Sequence, residues 1–119
     1  MILFKNDSKI MSEQNHVRSC IERALSDVCE VCDIHESLVM SRSRQEDVTI
    51  ARFFLYTLLR NAGFTWTHIG QICERDHGAV FAGYKRLGMR LECREKMLIM
   101  MRDSLASRGW VFREYVQED

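Results

Sequence analysis

Proline is missing from the 119-residue chain, and glycine occurs at only six positions. A sandwich or barrel turns often and draws on both residues where it turns. Their scarcity argues against a β architecture and permits long helices. A membrane-length apolar run is missing as well. Met1-Ile2-Leu3-Phe4 is closed by Lys5, too early for the apolar core of a secretory leader. A cytosolic protein is the expectation, with Met1 and Met11 both candidate starts. The P-loop pattern Gly-x-x-x-x-Gly-Lys-Ser/Thr occurs nowhere, and the chain is short for an ATPase domain, so ATP-driven work is not expected.

A complete set of metal ligands is also lacking. Cys29-x-x-Cys32 with His35 beyond it is the suggestive element, but no second pair with similar spacing follows. Cys20, Cys29 and Cys32 fall on a helical apolar pattern, where reduced cysteine packs as a small hydrophobe. No metal or cofactor is expected.

Net charge is zero, with 17 basic against 17 acidic residues. The distribution is uneven. Residues 1–35 carry four cations against six acids, residues 36–90 eight against five, and residues 91–119 five against six. The middle of the chain is the basic part, the pattern of a local positive surface on a neutral protein.

Apolar spacing divides the chain into helices without a domain boundary. Residues 1–12 lack a clear period and read as a loose arm, with one domain over 13–119. Val17, Cys20, Ile21, Ala24, Leu25, Val28, Val31 and Cys32 define a first helix from Glu13. Asp33 to Glu36 break it, and Ser37 to Met40 read as a short helix or turn. Ser41-Arg42-Ser43-Arg44 is a polar, basic loop. A helix over 46–60 places Val48, Ala51, Phe54, Leu55, Leu58 and Leu59 on one face, and Asn61-Ala62-Gly63 stops it. Thr65 is a fitting N-cap for a short helix ending near Cys73. After Glu74-Arg75, Asp76 caps the next helix, whose stripe is Val80, Tyr84, Leu87 and Leu91, with Gly88 a candidate bend. Two helices joined by so short a turn make a helix-turn-helix. A last helix over 91–107 turns Met97, Leu98, Met101 and Leu105 inward. Arg108-Gly109 end it, and Trp110, Val111, Phe112 and Tyr115 form an aromatic tail that packs on the bundle or serves a dimer contact.

In this arrangement Asp76 caps the helix and leaves His77, Gly78 and Ala79 in its first turn, where recognition helices touch bases. His77, Gly78, Phe81, Ala82 and Lys85 form the outward set, opposite Val80, Tyr84 and Leu87. Lys85, Arg86 and Arg90 lie further along, suited to phosphates. Thr65 and Thr67 stand at a helix N-terminus, which also favours phosphate. The same residues are equally compatible with a cap, a surface histidine and a solvated basic face.

Arg75-Asp76-His77, with Val80 after it and Ile69-Gly70 before it, resembles the signature of the C-terminal DNA-binding domain of the bacterial replication initiator DnaA. Val28 to Ile34 with Leu38 are similar to that domain's first helix and exit, Ser41 to Arg44 to its basic loop, and Ala51-Arg52 with Leu55 and Leu58 to its next long helix. The resemblance spans residues 14–92. It implies an all-α bundle with a helix-turn-helix, DnaA C-terminal-like or Trp-repressor-like. It further implies Arg42 or Arg44 in the minor groove, Arg75, Asp76 and His77 at the major groove, and Arg52, Thr67 and Lys85 on phosphates. Three departures stand out. Gly78 and Ala79 replace hydroxyl-bearing residues, although Ala79 can still meet a thymine methyl. The turn lacks glycine and is one residue shorter. Glu74 adds a negative charge beside the face.

The expected function is therefore stand-alone binding of double-stranded DNA without an ATPase, as a transcription or replication regulator or a mobile-element or phage accessory factor. Specificity is expected to be altered or relaxed relative to DnaA boxes, and affinity to gain from dimerisation through the last helix and tail. The competing reading is a protein-interaction module that kept the fold and lost the DNA, docking on replication proteins. An enzyme is not expected. Asp76 and His77 are neighbours on a helix and diverge by about 100°, and no oxyanion-hole pattern accompanies them.

Overall fold

Helix α3 (Glu46–Asn61) is the axis of the molecule. In the computed structural model, which describes the backbone of residues 2–113 and the side chains of 14–113, most of its length is buried. Val48, Ala51, Phe54, Leu55, Leu58 and Leu59 are inside as expected, but so are Ile50, Tyr56 and Thr57. A single inward stripe therefore understates α3. Helix α1 (Ile2–Cys32) covers one side, α5 (His77–Glu92) the other, and α2 (Glu36–Val39) and α4 (Trp66–Cys73) its flanks. A helix apolar nearly all round belongs at a centre rather than at a surface. α6 (Lys96–Ser107) closes the bundle against α1 and α5. The described residues are all-α, with no strand among them. None of the described helices is long and apolar enough to cross a membrane.

Several expectations are corrected. Residues 2–12, read as a loose arm, continue α1 as helix. The stretch up to Cys32 contains neither glycine nor proline, so nothing in it halts a helix. α5 continues through Gly88, which is buried, so this glycine does not interrupt the helix. The last helix starts at Lys96, not Leu91. Leu91 is the final core residue of α5, and Arg94 at φ 59° turns the chain into α6. On α6, Leu98 and Leu105 are buried, whereas Met97 points outward at 64% exposure.

The helix ends obey local chemistry. Asp33 at φ 54° ends α1, and the Ile34 amide donates back to the Cys29 carbonyl. Gly63 at φ 108° follows α3, and Gly109 at φ 96° follows α6, both in the left-handed region that glycine tolerates. Beyond Gly109 the tail folds back. Trp110 is buried, its Nε1 donates to Asp27 at 2.8 Å, and Phe112 meets Phe54 edge-on. Tyr115 lies outside the described residues. Burial pushes the Cys32 thiol up to about 12 and the Cys73 thiol up to about 11, so both are neutral packing groups at neutral pH. Cys32 Sγ stands 4.0 Å from Met101 Sδ.

Candidate nucleic-acid interface

The unit formed by α4 and α5 is built around a close approach. Thr65 caps α4, its hydroxyl accepting from the His68 amide at 3.1 Å. At the far end Glu74 adopts φ 54°, ψ 47°, so a left-handed position that favours glycine is held by glutamate. The Arg75 amide then donates to the Gly70 carbonyl at 2.8 Å. A Cβ at Gly70 would lie 2.5 Å from the Arg75 carbonyl oxygen, so only glycine lets the turn fold onto α4. Asp76 caps α5, Oδ2 accepting from the Gly78 amide at 3.0 Å.

α5 has two opposed faces. Val80, Gly83, Tyr84, Leu87, Gly88 and Leu91 are buried. Gly83 permits the crossing with α3, since a Cβ there would stand 2.6 Å from the Phe53 ring. The outer face exposes His77, Gly78, Ala79, Ala82, Lys85, Arg86 and Met89, and no acid interrupts it before Glu92. Within its first turn Gly78 and Ala79 are small, and His77 is the one bulky outward side chain. Phe81, read as outward-facing, is half-buried instead. It packs edge-on against Trp66 at 5.2 Å, with Lys85 Nζ 5.3 Å from its ring. His77 Nδ1 lies 3.7 Å from Asp76 Oδ1, with both side chains largely in solvent.

The Ser41–Arg44 loop is held by its serines. Ser41 Oγ donates to the Leu38 carbonyl and accepts from the Ser43 amide, and Ser43 Oγ accepts from the Gln45 amide. Arg42 and Arg44 are left exposed, without an ion pair to any described residue, and Arg86 is in the same state.

Two arginines read as DNA contacts are directed inward. Arg52 is 8% exposed, and its guanidinium donates to the carbonyls of Val39 (2.8 Å), Leu38, Ser41 and Ser43. That corrects its assignment to phosphate, because the guanidinium is already engaged on four acceptors. Arg75 is half-buried. Nη1 donates to the carbonyls of Cys73 and Glu74, and Nη2 reaches the Ser41 carbonyl at 2.6 Å. It faces the loop, not the first turn of α5. Burial, followed by the neighbouring Arg75 charge, lowers the Arg52 pKa, but arginine remains protonated in proteins.

Arg90 also departs from the phosphate role. Nε bonds Glu95 at 2.7 Å and Nη2 bonds Glu46 at 3.1 Å, tying the ends of α5, α6 and α3 together. Those hydrogen bonds push its pKa up, so it stays protonated with its charge offset by the two carboxylates. The outward cations are thus Arg42, Arg44, Lys85 and Arg86, with Thr65 and Thr67 exposed at the start of α4. Ser41 is the residue the sequence reading overlooked. Its contribution is a backbone carbonyl, which no side-chain pattern announces. Among the described residues no group of His, Cys, Asp and Glu is arranged to hold a metal. No family model, curated protein or solved structure matches the chain.

Proposed function

We propose that the chain is a double-stranded DNA-binding module that seats the start of α5 in the major groove and the Arg42–Arg44 loop in the neighbouring minor groove. The observation carrying this reading is a pair of features linked by the hydrogen bond from Arg75, in the α4–α5 turn, to the Ser41 carbonyl. One is an acid-free outer face of α5 with small residues at its entry. The other is a loop whose two arginines are exposed, with no ion pair to any described residue. Small residues let a helix approach base edges, and unpaired arginine suits the negative potential of a narrow groove. Lys85 and Arg86 serve phosphates, and Thr65 and Thr67 offer hydroxyls and amides to the same strand. The resemblance to the DnaA C-terminal domain supports the same placement and a regulatory or accessory role in replication or transcription. Gly78 and Ala79 carry no hydrogen-bonding side chain, so base selectivity falls to His77, Asp76 and the loop.

Glu74, exposed in the turn, favours a second reading in which the same face docks a protein. One experiment separates the two. Fluorescence anisotropy is measured with a random duplex and a DnaA-box duplex at two salt concentrations, for wild type, Arg44→Glu, His77→Ala and Arg18→Glu. Arg18 lies on α1, paired with Glu22 and away from the face. Log affinity is expected to fall with log salt at about 0.9 per phosphate engaged. Arg44→Glu is expected to weaken binding at least about tenfold, His77→Ala to reduce the ratio between duplexes, and Arg18→Glu to change neither. Equal loss in Arg18→Glu, or no binding at low salt, rejects the DNA reading and leaves the protein-docking one.

A further inference from the structure

We infer that Arg52 and Arg75 form one carbonyl clamp that locks the Ser41–Arg44 loop to the α4–α5 turn, making Arg52 a positioning residue for minor-groove reading. The inference rests on the DNA-binding function proposed above. Its basis is the Ser41 carbonyl, which takes a bond from Arg52 Nη2 and another from Arg75 Nη2. Arg52 comes from the core helix α3 and Arg75 from the turn that launches α5. The loop is therefore bonded at one atom to both elements that orient the recognition helix. The other bonds of Arg52, to Leu38, Val39 and Ser43, fix the backbone on either side of Arg42.

No carboxylate of the described residues takes part in this cluster. The acceptors are carbonyls of α2, its exit and the loop, and carbonyls at a helix C-terminus attract a cation. A planar guanidinium addresses four of them at once, whereas an ammonium lacks the fork to do so. The bound geometry of the loop is thus present before DNA arrives, and the ordering cost of a free loop is avoided. Reading two neighbouring grooves together requires that the loop and α5 keep one spacing, which the shared carbonyl enforces.

The test uses the full chain with A·T-rich and G·C-rich duplexes of equal length, at two salt concentrations and a temperature where circular dichroism shows every variant folded. Wild type is expected to prefer the A·T-rich duplex by about tenfold, the scale of one good groove contact. Arg52→Lys keeps the charge and removes the fork. It is expected to erase most of that preference while leaving the salt slope unchanged. In an Arg42→Ala/Arg44→Ala background the same substitution is expected to have no further effect, because it acts through those arginines. If Arg52→Lys does not fold, the half-buried Arg75→Lys gives the same measurement from the other side of the shared carbonyl. A general loss of stability lowers binding to both duplexes alike and does not move their ratio. A preference that survives the substitution, or a wild type that binds both duplexes equally, overturns the clamp alone. A wild type with no salt-sensitive binding to either duplex overturns the DNA reading itself.

Discussion

Two clusters of arginine hold this molecule together, and they are built from different acceptors. At the seam between α1 and the C-terminal tail, Arg108 pairs with Asp27 and Glu30 at 3.1 Å, and Arg23 donates to the Arg108 carbonyl while lying 4.7 Å from the Trp110 ring. At the loop, Arg52 and Arg75 bond carbonyls alone. Carboxylates cancel charge, while carbonyls solvate it and leave it in place. The seam is therefore electrically closed, and the loop side keeps its positive charge next to Arg42 and Arg44, which pair with no acid among the described residues. A net charge of zero conceals this division, because a sum over the chain does not record which acceptor each cation finds.

Removing the apolar anchor of the seam has the largest expected effect. Trp110 is 9% exposed and joins the tail to α1. Trp110→Ala is expected to cost about 3–5 kcal/mol, read as a lower urea midpoint. Where the variant is still folded, DNA affinity is expected to match wild type, since separated sites act independently. A loss of affinity in the folded variant would show that the seam and the loop are one unit.

Much of this division was legible in the residues. Thr65 and Asp76 announced their caps, Gly63 and Gly109 their stops, and the Val80, Tyr84, Leu87, Leu91 stripe its buried face. Arg52, Arg75 and Arg90 were placed less well, and for one reason. A sequence shows that a residue is cationic but not which acceptor it finds. Glu95 and Glu46 reach Arg90 from two other helices, and backbone carbonyls have no letter in the sequence. The extent of burial on α3 was hidden similarly, because it depends on α1 and α5 arriving from both sides.

The loop side can be broken without touching a charge. Gly70→Ala sets a methyl against the Arg75 carbonyl, and backbone cannot yield as a side-chain tip does. The overlap is expected to cost about 1–3 kcal/mol of stability. It also displaces the residue that clasps Ser41, so affinity for A·T-rich duplex is expected to fall in protein that remains folded. Paired denaturation and anisotropy measurements check this. An unchanged affinity would mean that the turn does not govern the loop.

Glu74 carries the smallest expected effect, and it separates strain from charge at one position. Its left-handed conformation costs a non-glycine residue about 1–2 kcal/mol, of which glycine's greater chain entropy returns about 0.5–1 kcal/mol to the unfolded state. Glu74→Gly is therefore expected to gain about 0.5–1 kcal/mol and to raise the melting temperature by about 2–6 °C. Glu74→Gln keeps the strain and removes the charge, so its melting temperature is expected to stay at the wild-type value. Both substitutions delete an anion that the proposed geometry sets beside phosphates. Both are expected to tighten DNA binding at low salt, with the gain shrinking as salt screens it. Thermal melts with anisotropy at two salts resolve the two contributions. If Glu74→Gln leaves binding unchanged at low salt, the turn stands away from the phosphates, and the basic loop and α5 do not approach one duplex together.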